Sequence, residues 1–123
     1  MIDFEIQAIS ALESDPTVAA LVGDRIFRWF VPDEYAAQYP YIRISELDNL
    51  DSDYHDNKAA TSEIDIQIDF WTKGDPAPLQ SAIDDVMKSL QCKRIGVTSF
   101  YEEDTGAFRK AMRYSTKVNL EEE

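Results

Sequence analysis

Apolar and polar residues alternate strictly along residues 63–70 of the chain. Every second position from residue 64 to residue 70 is a large apolar side chain, and the positions between them are acidic or amide: Ile64, Ile66, Ile68 and Phe70 against Glu63, Asp65, Gln67 and Asp69. A two-residue period is that of a β-strand with one buried face, and β-branched residues fit a strand better than a helix. We therefore predict that residues 63–71 form the central strand of a sheet.

Two other segments show the three- and four-residue spacing of an amphipathic helix. The spaced residues are Ile2, Ile6, Ile9 and Leu12 near the N-terminus, and Leu79, Ile83, Val86 and Leu90 later in the chain. Between them, Asp15 followed by Pro16 predicts the N-cap and first residue of a further short helix that Gly23 ends. The pattern thus indicates two main helices, the first followed by one or two extra turns.

Four more segments are typical of strands: residues 25–31, 41–47, 94–101 and 108–120. The strand at 41–47 is expected to pair antiparallel with the central strand. The last strand is basic on the face where the central strand is acidic, and opposite charges on adjacent strands favour pairing, so we predict that these two are neighbours. The predicted fold class is α+β, in the order α-β-β-β-α-β-β. An antiparallel sheet of about four to five strands, with the two main helices packed on one face, forms a single domain over residues 1–123.

The connection at residues 48–61 carries four aspartates and few apolar residues: Asp48, Asp51, Asp53 and Asp56. It is longer than a tight hairpin requires, and long polar connections are commonly functional or disordered. We predict an acidic loop that is mobile in the free subunit.

The chain is strongly acidic, with 12 basic and 24 acidic residues and a formal charge of −12, to which the terminal residues 121–123 contribute three charges. Such a charge repels phosphate backbones, so specific nucleic-acid binding is not expected. No apolar run is long enough to cross a bilayer, and the first residues lack the basic leader of a secretory signal. With a single cysteine, Cys92, we expect a soluble protein made in a reducing cytoplasm.

The residues that could carry chemistry are isolated. His55 is the only histidine, the aspartates at 51, 53 and 56 lack the glycine and glutamate of a calcium loop, and Cys92 has no partner cysteine. We therefore predict no catalytic site, no metal and no cofactor. Residues 29–39 are rich in aromatic side chains: Trp29, Phe30, Tyr35 and Tyr39. We expect Tyr35 and Tyr39 to contact a partner.

A resemblance to a known family rests on Gly23-Asp24-Arg25-Ile26-Phe27, then Val31-Pro32, then Pro40-Tyr41-Ile42. This opening is similar to that of the tail-completion, tail-terminator or head-tail joining proteins of siphophages and their prophages. The likeness continues through residues 15–23, 64–72 and 78–90 and a long closing strand, and so covers nearly the whole chain.

The resemblance implies an α+β subunit of the virion that assembles as a hexameric ring on the head-proximal end of the tail tube. The ring would stop tube polymerisation and dock the head connector, so its partners are other copies, the tail tube protein and the head-closure protein. We expect Tyr35 and Tyr39 in one contact patch, and the aspartates at 48, 51, 53 and 56 directed to the lumen or to a neighbour. No active site is carried over from the family.

An alternative class is a monomeric acidic inhibitor or immunity protein that occupies a basic site on a partner protein. The charge and the aromatic segment suit that class as well. A small enzyme subunit is the third class, and it lacks candidate residues.

Overall fold

A computed structural model describes residues 1–120, and its elements confirm the α+β class. The helices are α1 (Phe4–Ser14), α2 (Pro16–Val22) and α3 (Ala77–Ser89), and a short 3-10 turn occupies Asp33–Tyr35. The strands are β1 (Ile26–Arg28), β2 (Tyr41–His55), β3 (Lys58–Thr72), β4 (Lys93–Glu102) and β5 (Ala107–Asn119). The predicted strand at 108–120 thus ends one residue earlier, and residues 121–123 lie outside the described part.

The strands form one sheet in the order β1-β2-β3-β5-β4, so the strand predicted to be central is central. β3 pairs antiparallel with β2 and with β5, and β4 pairs antiparallel with β5. β1 runs parallel to β2, so the sheet is mixed. The prediction of a wholly antiparallel sheet is wrong on this point. The chain from residue 29 to residue 40 provides the crossover of about a dozen residues that a parallel pair requires.

The charged face of the sheet explains the pairing of β3 with β5. Glu63 lies opposite Lys117, and Gln67 lies opposite Arg113 and accepts a hydrogen bond of 3.0 Å from its Nε. The prediction that the acidic and basic strands are neighbours is therefore confirmed.

The other face of the sheet carries the core. Ile64, Ile66, Ile68 and Phe70 are fully buried, together with residues of β2, β5 and the helices. Helix α3 contributes Leu79, Ile83 and Val86 as its spacing predicts. Helix α1 differs, because it buries Phe4, Ala8 and Leu12 while Ile6 is 56% exposed. Glu5 turns inward to contact β1 and β2, and this rotates Ile6 toward solvent.

The prediction of an irregular acidic loop at 48–61 is wrong. Strands β2 and β3 continue through it as a long hairpin and turn at Asp56 and Asn57, whose φ angles are 52° and 62°. Two consecutive residues with positive φ are typical of a type I′ hairpin turn, and Asp and Asn tolerate that conformation. The segment lacks apolar alternation because both of its faces meet solvent, so its sequence resembles a loop although its backbone is paired.

Within residues 1–120, the longest helix is too short and too polar to cross a bilayer.

Candidate interaction surfaces

The two predicted contact tyrosines lie in the connection between β1 and β2, Tyr35 at the end of the 3-10 turn and Tyr39 two residues before β2. Tyr35 packs on Phe27 of β1 with ring centroids 5.1 Å apart, and Tyr39 stacks on Tyr41 at 5.4 Å. Tyr41 in turn stacks on Trp71 at 5.1 Å. Both predicted tyrosines are half-buried, so each offers one side to a partner while the other is fixed by its neighbour.

A charged cluster continues this aromatic row across the outer face of the sheet. Asp69 is fully buried and accepts hydrogen bonds from the guanidinium groups of Arg43 and Arg109. The same two guanidinium groups lie over the Trp71 ring, at 5.2 Å and 5.4 Å from its centroid. Burial raises the pKa of Tyr41 to about 12, so the phenol stays neutral at physiological pH. This half of the outer face is therefore filled by packed aromatic side chains and paired charged groups.

The four predicted aspartates lie along the far half of the hairpin and are exposed. Asp53 forms an ion pair of 2.9 Å with Lys117 and accepts a hydrogen bond of 2.8 Å from Thr61 Oγ1. The hydrogen bond from Lys117 lowers the pKa of Asp53. The carboxylate of Asp48 accepts a hydrogen bond from the backbone N–H of Asn49, whereas Asp51 and Asp56 have no ion-pair partner within residues 1–120.

The structure does not bring the tyrosines and the aspartates together. The tyrosines precede β2, whereas the aspartates run from its middle to the turn after it, and the 12 steps from Tyr41 to Asp53 span about 40 Å in an extended strand. A partner that contacts both groups would have to follow the whole length of the strand.

The corner where α1 meets the start of the sheet contains a buried carboxylate that the sequence pattern did not single out. Glu5 is 4% exposed, and its oxygens accept hydrogen bonds from Arg28 Nε (2.9 Å), Trp29 Nε1 (3.0 Å) and the backbone N–H of Glu46 (2.8 Å). A cleft of about 370 Å³ opens beside it. These contacts join three segments that are distant in sequence, so helical periodicity alone could not reveal them.

Exposed apolar side chains border this corner, and we name the group the β1–β2 edge. Trp29 is 59% exposed and Phe30 is 67% exposed. The group also includes three partly exposed residues of α1 and β2: Ile6, Leu47 and Leu50.

The opposite side of the sheet ends in β4, whose residues are exposed from Lys93 to Tyr101. Four of them are large and apolar, and we name these the β4 edge: Ile95, Val97, Phe100 and Tyr101. The sequence predicted a strand here but did not predict that it lies at the edge of the sheet, because edge strands and central strands share the same two-residue period.

The groups with reactive side chains remain separate. Among residues 1–120, no three His, Cys, Asp or Glu residues are placed to hold a metal ion. His55 is exposed next to the hairpin turn. Cys92 is buried, and its burial raises the pKa of the thiol.

The fold is that of a small α+β domain with exposed apolar and acidic surfaces. The profile of the family described as tail completion protein gp17 matches residues 7–119, and the chain therefore belongs to that family. The resemblance drawn from the sequence is confirmed. No curated protein matches the sequence.

A solved structure shares the fold. A chain in the structure described as the virion of a native gene transfer agent (GTA) particle superposes with a TM-score of 0.68 at 18% sequence identity, and the match covers 91% of each chain. At this identity the likeness concerns the fold alone.

Family membership makes the protein a structural tail protein of a phage-like particle, and not an enzyme. Of the three classes weighed from the sequence, it supports the virion protein over the acidic inhibitor and the small enzyme subunit.

Proposed function

We propose that the protein caps the tail tube of its particle as a closed hexameric ring and docks the tube to the head connector. The match to a tail completion family over residues 7–119 carries this proposal. A subunit that completes a tail has to recognise the end of the tube and present a new surface to the next component. Its partners are then other copies of the chain, the tail tube protein and the head-closure protein. The ring sits at the head-proximal end and is assembled in the host cytoplasm.

The charge of the chain supports a ring through which DNA passes. A formal charge of −12 per subunit repels phosphate groups, so DNA slides through an acidic lumen without binding. Asp51 and Asp56 are exposed and free of ion pairs within residues 1–120, which suits a place at the lumen or against a neighbour. We propose the predicted residues as contacts of the assembled ring: Tyr35, Tyr39, Asp48, Asp51, Asp53 and Asp56.

Deletion of the gene tests the proposal. Lysates of the deletion strain, viewed by electron microscopy, should contain filled heads beside unattached tails of abnormal length. Expression of the wild-type gene from a plasmid is the control and should restore joined particles. Normal particles from the deletion strain would refute the proposal.

A further inference from the structure

The exposed large apolar residues of the chain fall into two groups on opposite sides of the sheet. None of the twelve within residues 1–120 belongs to the central strand β3 or to helix α3. Seven lie in or next to α1, β1 and β2: Met1, Ile6, Trp29, Phe30, Leu47, Leu50 and Tyr54. Five lie in β4 and β5: Ile95, Val97, Phe100, Tyr101 and Phe108. Exposed apolar surface collected in this way is typical of protein–protein contacts.

Trp29 on the β1–β2 edge is held in position before any partner binds. Its φ angle is 75°, a conformation that a bulky side chain rarely adopts without a compensating contact. Its indole N–H donates to buried Glu5, and the Arg28 guanidinium lies 4.5 Å from the centre of its ring. A rigid aromatic side chain that is exposed in the free subunit loses little conformational entropy on binding.

The β4 edge offers apolar side chains on both of its faces. In the register with β5, Val97 lies opposite buried Met112, on the helix side of the sheet, whereas Phe100 lies opposite Arg109, on the outer side. No other strand in the described part of the chain pairs with the free side of β4. An unpaired apolar edge strand invites contact with another chain.

The two edges cannot meet within one subunit. Four strand spacings separate β1 from β4, which amounts to about 19 Å. Their charges are complementary over part of their length: Glu46, Asp48 and Asp51 accompany the first edge and Lys93 and Lys110 lie along the second, which becomes acidic only at its end, at Glu102. Two different patches on opposite sides of one subunit form a heterologous contact, which produces a ring when the rotation from copy to copy closes.

We infer that the β1–β2 edge of one copy packs against the β4 edge of the next copy, with Trp29 and Phe30 against Val97 and Phe100. This inference rests on the proposed ring and specifies the contact by which the ring is built. The acidic hairpin tip then remains free for the lumen or for the tube.

Disulfide cross-linking in purified particles tests the contact. The variant Phe30→Cys/Val97→Cys should give, on oxidation, a ladder of covalent oligomers up to the hexamer. Phe30→Cys alone and Val97→Cys alone should remain monomeric, because a heterologous contact does not bring identical residues together. Both positions are exposed, so neither substitution threatens the fold.

Two controls match the double variant. The wild-type subunit carries only buried Cys92 and should give no ladder. Ser81→Cys/Val97→Cys has the same number of introduced thiols, but one lies on the exposed side of α3, and it should remain monomeric. As a second measurement, Val97→Lys should reduce the fraction of heads with attached tails at least tenfold, and Ser81→Lys should leave that fraction unchanged.

The outcomes separate this inference from the proposed function. If the double variant enters particles but forms no ladder, or if Val97→Cys alone forms dimers, the edge contact is refuted while the ring can stand. If the wild-type protein is absent from purified particles, the proposed function fails and the inference fails with it. A ladder confined to Phe30→Cys/Val97→Cys supports the contact.

Discussion

The two halves of the β2–β3 hairpin share one backbone pairing but differ in what surrounds them. In the half near the helices, Ile44 and Ile68 are directly opposite each other and fully buried, and β1 and β5 flank the pair. In the tip half, from Leu50 to Thr61, most side chains meet solvent on both faces. The comparison shows that strand pairing can be continuous while the stabilising apolar burial is confined to one end.

Local contacts hold the tip half. Thr61 Oγ1 lies 2.7 Å from Ser52 Oγ and donates to Asp53, and Asp53 pairs with Lys117 of β5. An isolated two-stranded hairpin is only marginally stable in water. We therefore expect that binding of a partner reduces the mobility of the tip more than that of any other part of the sheet.

The largest expected difference between the halves comes from a cavity. Ile66→Ala, in the buried half, should lower the free energy of unfolding by about 2 to 5 kcal/mol, because it leaves a void in a packed core. Leu50→Ala, in the tip half, is the matched control and should change it by less than about 0.5 kcal/mol, since Leu50 is 54% exposed. Urea unfolding of the isolated subunit measures both. Equal losses for the two variants would contradict the comparison.

Removal of the buried carboxylate on the outer face should have the next largest effect. Asp69→Ala leaves Arg43 and Arg109 without their shared partner and should cost about 1 to 3 kcal/mol, reduced by the partial exposure of both arginines. Asp51→Ala in the tip half removes an exposed carboxylate and should have little effect. If Asp69→Ala unfolds at the wild-type urea concentration, the cluster does not stabilise the outer face.

Alkaline pH should act through the buried half, where Tyr114 lies opposite Ile66. Burial, and then the hydrogen bond from its hydroxyl to Asp84, raise the pKa of Tyr114 well above its ordinary value of 10.0. The unfolded chain then releases this proton near pH 10 while the folded chain keeps it. The stability that Tyr114 contributes is therefore complete below pH 10 and is lost above it, by about 1.4 kcal/mol per pH unit.

Tyr114→Phe should remove that part of the pH dependence. The measurement is the slope of the unfolding free energy against pH between pH 10 and 11.5, in the wild type and in the variant. The difference between their unfolding free energies at pH 7 gives the cost of the lost hydrogen bond alone. Tyr41, whose pKa is raised to about 12 by burial, contributes to the slope in both proteins. Identical slopes would show that Tyr114 ionises equally in the folded and unfolded chains.

A smaller effect is expected at the hairpin turn. Asn57 has a φ of 62°, so Asn57→Ala should cost about 1 kcal/mol, because alanine disfavours this conformation. Asn57→Gly is the control and should preserve stability, since glycine adopts positive φ freely. If both variants match the wild type, the tip adds nothing to the stability of the free subunit.

Amide hydrogen exchange compares the two halves of the hairpin in the wild-type protein. Amides of residues 51–58 should exchange faster than those of residues 64–70, because few apolar contacts protect the tip. Mobility of the tip in the free subunit remains a prediction. Equal, slow exchange in both halves of the isolated protein would rule out ordering of the tip on assembly.

The local pattern of the chain was enough to predict several parts of the structure. The alternation through Ile64, Ile66 and Ile68 predicted a half-buried central strand, and the spacing of Leu79 and Ile83 predicted α3 and its buried side. The acidic face of β3 and the basic face of β5 predicted their pairing. Each of these features depends on residues within one or two elements, so periodicity and charge report it directly.

The tertiary structure alone decided the rest. Glu5 is buried because Arg28, Trp29 and the backbone of Glu46 come to it from positions 23, 24 and 41 residues away. The polar segment at 48–61 is a hairpin because each strand finds its partner across the turn, and β4 is an edge because nothing in the described chain pairs beyond it. The sequence determined which faces of its elements are apolar. Which of those faces are covered depends on segments distant in sequence, and local periodicity carries no information about their position.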